Sequence, residues 1–209
     1  GYPGSTAEYV PSYHIDMIKN LVNPKMISIR SQKIEIIDAA MNSDPLIRIQ
    51  YSAKKAGISN SWKKWIGELQ GLERMNTIGQ KQQFEAGFSQ WAGSDDERRR
   101  AYGDILPSYK RVYDSLGIYT LVNNFTNEIF NGVEAISIAR NLSVLASAVR
   151  EKSPEDVIEK ARERLLDYSE QFYKDFDRGT DQKLFAALTK YYGESLAEKW
   201  LSPAYRDFR

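Results

Sequence analysis

The chain has 209 residues, 42% of them hydrophobic and 27% charged, with a formal net charge of +1. That is enough apolar material for a packed core, and too even a charge balance for a duplex nucleic-acid binder, which carries a clear basic excess. Cysteine is absent, so disulfides are ruled out while the compartment stays open; no apolar run approaches a membrane-spanning helix, and no basic-then-apolar secretion signal opens the chain.

Gly1-Tyr2-Pro3-Gly4 reads as a turn. A chain that begins in mid-turn is expected to be a piece of a longer protein, which would account for a missing leader. Residues 1–11 read as extended or irregular. Asn23-Pro24 is the pattern of an N-cap followed by a first-turn proline, and Ile27, Ile34, Ile37 and Met41 then recur at helical intervals up to Ser43. Asp44-Pro45 repeats the start signal for Leu46 to Ala56. Gly57 to Ser61 reads as a short polar break. Trp62, Trp65, Ile66, Leu69, Leu72, Phe84, Phe88 and Trp91 then trace one apolar stripe, predicting a helix over about 57–92. Gly67 and Gly71 each cost about 1 kcal/mol relative to alanine inside a helix, which suggests a close neighbour or a kink.

Gly93 closes that segment and Ser94-Asp95-Asp96-Glu97 opens the next as a capping box. Pro107 interrupts the pattern as a first-turn proline or a kink. Ile118, Leu121, Val122, Phe125, Ile129, Val133 and Ile136, continued by Leu142, Leu145 and Val149, predict a helix over about 117–149. Ser153-Pro154-Glu155-Asp156 starts a helix reaching about Phe176, and Asp181 to Tyr192 is one more. Pro203 to Arg209 looks like a trailing end. No strand-like alternation, internal repeat or low-complexity tract is present. The expected fold is all-α: long antiparallel helices forming an arched bundle or cap, with the helical domain over 12–195 between connectors 1–11 and 196–209.

Chemistry-bearing motifs are few. His14 is the only histidine, between Tyr13 and Ile15, and reads as a surface or half-packed residue. There is no Gly-x-Ser-x-Gly elbow, no zinc or di-iron signature, no phosphate-binding glycine loop and no dinucleotide fingerprint. No catalytic residue, metal or cofactor is therefore expected within the chain. Trp62-Lys63-Lys64-Trp65 could be an aromatic-basic surface for single-stranded nucleic acid. The better reading packs both tryptophans inward and leaves the lysines in water. Arg98-Arg99-Arg100 follows Asp95-Asp96-Glu97, as on a solvated helix start. Asn60 has two readings: a cap for the following helix, or a recognition group held between two helices. Ser59 and Ser61 could cap equally well.

Several segments together resemble one known family. Gly1-Tyr2-Pro3-Gly4-Ser5-Thr6, with Tyr9 and Ser12-Tyr13, resembles a Gly-Phe/Tyr-Pro-Gly-x-Thr segment. Arg48-Ile49-Gln50-Tyr51-Ser52-Ala53-Lys54 resembles Arg-Ile-x-Tyr-Ala-Ser-Lys, and Ser59-Asn60-Ser61-Trp62-Lys63-Lys64 resembles Ser-Asn-Tyr-Trp-Lys-Asn, departing at Ser61 and Lys64. Glu85 to Trp91 resembles Glu-x-x-Phe-x-x-Trp; Lys174-Asp175-Phe176-Asp177 with Asp181 to Phe185 resembles the stretch after the helical domain. The family is that of the bacterial dipeptidyl peptidases 7 and 11, serine exopeptidases that release dipeptides from free peptide N-termini.

The resemblance implies a helical domain inserted in a chymotrypsin-like double barrel, with the catalytic His and Asp before this region and the Ser after it. The chain alone would then be inactive. It implies that Asn60 helps to bind the substrate's terminal amine, with Tyr51 and Trp62 as weaker substrate-binding candidates. The implied partners are a peptide with a free N-terminus and the catalytic barrel of the same parent, with no nucleic acid and no membrane; a homodimeric parent is left open. The implied location is the periplasm or cell surface of a Gram-negative bacterium. From a different class, an autonomous helical protein-interaction module fits the same pattern.

Overall fold

The computed structural model describes residues 9–208; the Gly1-to-Thr6 motif lies outside them. Every element among the described residues is helical and no strand is present. The all-α expectation holds. The helices are α1 (Ser12–Met17), α2 (Asn23–Ser43), α3 (Pro45–Arg74), α4 (Thr77–Gly93), α5 (Asp96–Tyr102), α6 (Ile105–Phe130), α7 (Glu134–Arg150), α8 (Glu155–Asp175), α9 (Arg178–Ser195) and α10 (Pro203–Phe208). The chain divides into two compact units. One holds the residues up to Ile27 with Lys63–Leu121; the other holds Ser28–Trp62 with the residues from Val122 on.

Four of the expected boundaries are corrected. Asn23 begins α2 but is not an N-cap: its backbone is already helical, and a π turn at Ile18–Val22 links α1 directly to α2. The Asn23 N–H donates to the Ile18 carbonyl, five residues back, and this wider ring carries the chain into Pro24, which has no N–H to give. Asn23 is buried, and its amide donates to Glu68 at 2.9 Å instead of capping.

Gly57 to Ser61 is not a break. Helix α3 runs through it without interruption, because Tyr51 before the glycine and Ile58 after it both pack into the apolar cluster with Ile37 and Leu184, and that outweighs about 1 kcal/mol of glycine propensity. The same helix takes Gly67 and Gly71 straight through. Nothing lies within 4 Å of where their Cβ atoms would be, so neither marks a close neighbour.

The helix expected over 57–92 ends at Arg74. Asn76 turns the chain through the left-handed region at φ 46°, a conformation asparagine tolerates better than most residues. Beyond this turn the apolar stripe shifts register. Phe84 is 66% exposed, while Glu85 and Ala92 face inward. Likewise 117–149 is two helices. α6 begins at Ile105 with Pro107 in its first turn and ends at Phe130; a turn at Asn131-Gly132 leads to α7. Smaller shifts affect two caps. Asp95, not Ser94, caps α5 by accepting from the N–H groups of Glu97 and Arg98, and Asp177 caps α9 four residues before the expected start.

In the first unit, α1 and α4 pack together around a buried carboxylate. Glu85 Oε1 accepts from the Tyr9 hydroxyl at 2.8 Å and the Ser12 N–H at 2.7 Å; Oε2 accepts from the Ser12 hydroxyl at 2.5 Å. Burial raises the Tyr9 phenol above the ordinary tyrosine value, and the Glu85 charge adds to it. His14 is half-buried, edge-on to Tyr113 with ring centroids 5.1 Å apart.

In the second unit, Ile37, Tyr51 and Leu184 form a buried cluster against which Ile36, Met41, Ile47 and Ile58 pack. α7 and α8 form an antiparallel helical hairpin through a turn at Lys152, φ 53°. No single described helix is long and apolar enough to cross a membrane.

Candidate functional site

The second unit contains a cavity of about 630 Å³ lined from α2, α3 and the α6–α7 turn. Helix α3 contributes Ala53, Lys54, Gly57, Ile58 and Ser61, the spacing of one helical face. Its apolar floor continues the cluster of Ile37, Tyr51 and Leu184.

Two ion clusters wall the cavity. Glu134 accepts from the Tyr51 hydroxyl at 2.8 Å, and both its oxygens accept from Lys54 at 2.8 Å. The Lys54 ammonium stands 4.1 Å from the Tyr51 ring centroid and also donates to the Asp175 carbonyl at the C-terminus of α8, where a cation complements the helix dipole. Deeper in, Glu128 accepts from Arg30 Nε at 3.0 Å, from Arg30 Nη2 at 2.7 Å and from Lys33 Nζ. Lys33 also donates to the Glu128 carbonyl at 2.8 Å, which caps the end of α6. Gly132 leaves room for this approach, since a Cβ there would run into both the Lys33 ammonium and the Glu128 carbonyl.

Burial sets the protonation of these groups. It raises the Tyr51 phenol well above the ordinary tyrosine value, and the neighbouring Glu134 charge adds to it. It lowers Lys33, with Glu128 opposing. Burial would raise Glu128, but Lys33 and Arg30 outweigh it and hold the carboxyl below the usual carboxylate value. Both carboxylates are engaged by hydrogen bonds and ion pairs from the surrounding side chains. Among the described residues no group of three acidic or histidine side chains is arranged to hold a metal.

The three residues singled out from the sequence are not gathered at one point. Asn60 is in mid-helix, so the capping role is overturned. Its side chain is exposed and makes no hydrogen bond to a described residue. It follows Tyr51 by nine residues, two and a half turns, and so sits on the opposite side of α3. Tyr51 is 1% exposed and spends its hydroxyl on Glu134. Trp62 is half-buried and donates its indole N–H to the Ser31 hydroxyl at 2.9 Å. Trp65 is half-buried too, whereas Lys63 and Lys64 are exposed, as inward packing of the tryptophans requires.

Sequence reasoning missed the residues that frame the cavity: Arg30, Lys33, Asn127, Glu128, Asn131 and Glu134. Two signals were present. Lys33 lies four residues from both Ile29 and Ile37, and Glu128 lies three beyond Phe125; these three apolar residues are fully buried. A charge in step with a core stripe calls for a buried partner. Which partner it finds depends on the fold.

Comparison with known proteins places this architecture. The family model described as Peptidase S46 matches residues 1–207. The chain is 36% identical, over 96% of its length, to an Asp/Glu-specific dipeptidyl-peptidase of Flavobacterium psychrophilum, and spans 28% of that relative. It is 33% identical over its whole length to an Asp/Glu-specific dipeptidyl-peptidase of Capnocytophaga gingivalis, of which it spans 29%. It is 31% identical, over 90% of its length, to a dipeptidyl-peptidase 7 of Porphyromonas endodontalis, of which it spans 22%. The chain belongs to the peptidase S46 family and covers less than a third of the length of these relatives.

Proposed function

We propose that this chain is a substrate-gating helical domain of a serine-type dipeptidyl aminopeptidase of the periplasm or cell surface. In this reading Asn60 helps to hold the free ammonium of a peptide, and the bond-cleaving groups belong to other parts of the parent. The support is the family match along the chain together with relatives named as dipeptidyl peptidases. One observation carries the role of Asn60: its amide is unengaged and exposed, on a helix whose backbone is fixed for several turns on either side.

The chemistry follows from what an exopeptidase must measure. Releasing two residues requires the terminal ammonium to be anchored a fixed distance from the nucleophile, and two extended residues span roughly 7 Å. An anchor on a loop would blur that distance; a side chain on a long helix does not. The amide oxygen of Asn60 accepts from the ammonium, while a carboxylate elsewhere in the parent supplies the compensating charge.

The experiment is steady-state kinetics of the complete parent enzyme on dipeptide-releasing substrates. Asn60→Ala is expected to raise KM and to lower kcat/KM about tenfold or more, the loss of one hydrogen bond to a charged group. Unchanged kinetics would remove Asn60 from recognition. The isolated chain is expected to release no dipeptide.

A further inference from the structure

The first unit holds a pocket of its own, of about 280 Å³, between α4, the start of α6 and the segment leading into α1. Its walls are largely aromatic: Tyr9, Phe84, Phe88 and Tyr109. Phe84 and Phe88 are one turn apart on α4 and so share a face. The Tyr9 and Phe84 rings stand 5.9 Å apart at their centroids, tilted by 41°. Phe84 is 66% exposed, Tyr9 45% and Tyr109 39%. Aromatic rings left in water around one concavity form a rim that still has area to bury.

The charged group here is Glu85, which lines the pocket and is 5% exposed. It accepts only from neutral donors, the Tyr9 hydroxyl and the N–H and hydroxyl of Ser12. Among the described residues no lysine, arginine or histidine pairs with it. Ser12 begins α1, and the positive end of a helix offers about half an elementary charge. The rest of the carboxylate charge stays unbalanced in a largely apolar site. Glu128, buried to a similar degree, takes two cations. The Lys81 ammonium lies 4.3 Å from the Tyr9 centroid, so that ring already accepts a cation on its face, but Lys81 does not line the pocket.

Ring faces carry a negative quadrupole and Glu85 a negative charge, so the pocket attracts a cation. Hydrogen bonding decides which kind. An ammonium or guanidinium brings three or more N–H donors. The carboxylate they would seek already accepts three hydrogen bonds. A quaternary ammonium brings no donor and offers methyl groups to the rings. We propose that this pocket binds a quaternary ammonium of choline type, with its methyl groups against the aromatic walls and its charge balanced by Glu85. Free choline and a phosphatidylcholine headgroup carry the same group. A volume of about 280 Å³ is at the small end of ligand cavities, as one such group requires.

The test is calorimetric titration of the complete parent with choline and with its neutral isostere, in which a tert-butyl group replaces the trimethylammonium. Choline is expected to bind at least about tenfold more tightly than the isostere. Phe84→Leu combined with Tyr109→Leu keeps apolar bulk but removes two ring faces. Both side chains are exposed, so this variant is expected to melt as wild type does. It should bind choline about tenfold more weakly and the isostere within about threefold of wild type. Glu85→Gln keeps the size of the side chain without its charge and is expected to weaken choline alone. Asn60→Ala is expected to leave choline binding unchanged; loss of binding there would assign the cation to Asn60 and overturn the pocket. Absence of choline binding, equal affinity for the isostere, or a double variant that binds choline as wild type does would overturn it too. Flotation with phosphatidylcholine vesicles separates the sources: retention assigns the headgroup, and choline binding without retention assigns the free ammonium.

Discussion

Lys33→Met tests whether the wall of the cavity is held by a buried ion pair. The Lys33 side chain is 4% exposed and that of Glu128 9%. Methionine keeps the length and apolar stem of lysine but removes three donors. Glu128 then retains only Arg30, and its own carbonyl loses the cap on α6. Removing one partner of a buried pair typically costs about 3–5 kcal/mol. For a chain of this size each kcal/mol moves the melting midpoint by roughly 2–4 °C, so a fall of about 6–20 °C is expected.

The assay is thermal and urea unfolding followed by far-ultraviolet circular dichroism at neutral pH. The double variant Lys33→Met with Glu128→Leu leaves no uncompensated carboxylate, and Arg30, partly open to water, keeps its bond to the Ile58 carbonyl. It is expected to recover more than half of the loss. Acid provides an independent arm. The folded-state pKa of Glu128 is depressed, so its contribution is complete above the unfolded carboxylate value and disappears as pH falls through the folded one. Glu128→Gln is therefore expected to flatten the acid limb of the stability profile. A Lys33→Met cost below about 1 kcal/mol, the level of a surface pair, would refute the reasoning.

Three further expectations follow from single contacts. Gly132→Ala would drive a methyl into the Lys33 ammonium and the Glu128 carbonyl and is expected to cost about 2–3 kcal/mol, read by the same melts. Asp181 is buried and accepts from the N–H groups of Glu134 at 2.6 Å and Ala135 at 3.0 Å, capping α7 from α9; Asp181→Ala is expected to cost about 2–3 kcal/mol, and Asp181→Asn less. Tyr9 and Tyr51 have raised folded-state values, so their contribution is complete below the unfolded tyrosine value of about 10 and is lost as pH rises above it. Tyrosinate absorbance during an alkaline titration should show these two phenols ionising only as helicity is lost; ionisation of all 13 tyrosines with helicity intact would contradict this.

The amino-acid sequence by itself determined that this is an all-helical chain, because apolar residues at helical spacing and acidic caps such as Asp44 and Asp95 act within a turn or two. It also carried the family signature, and it marked Asn60 as a side chain to watch. Where the helices stop was less legible. Gly57 looked like an end and was not, whereas Asn76 and Gly132 did end helices. A glycine's local cost is about 1 kcal/mol, and packing of distant residues such as Leu184 against Tyr51 is enough to override it. Only the tertiary structure decided the chemistry of the cavity. Lys33 and Glu128 are 95 residues apart, and Asp181 lies 47 residues from the N–H of Glu134 that it caps. No local pattern specifies such pairings, because a buried charge takes whichever counterpart the folded backbone brings within hydrogen-bond reach.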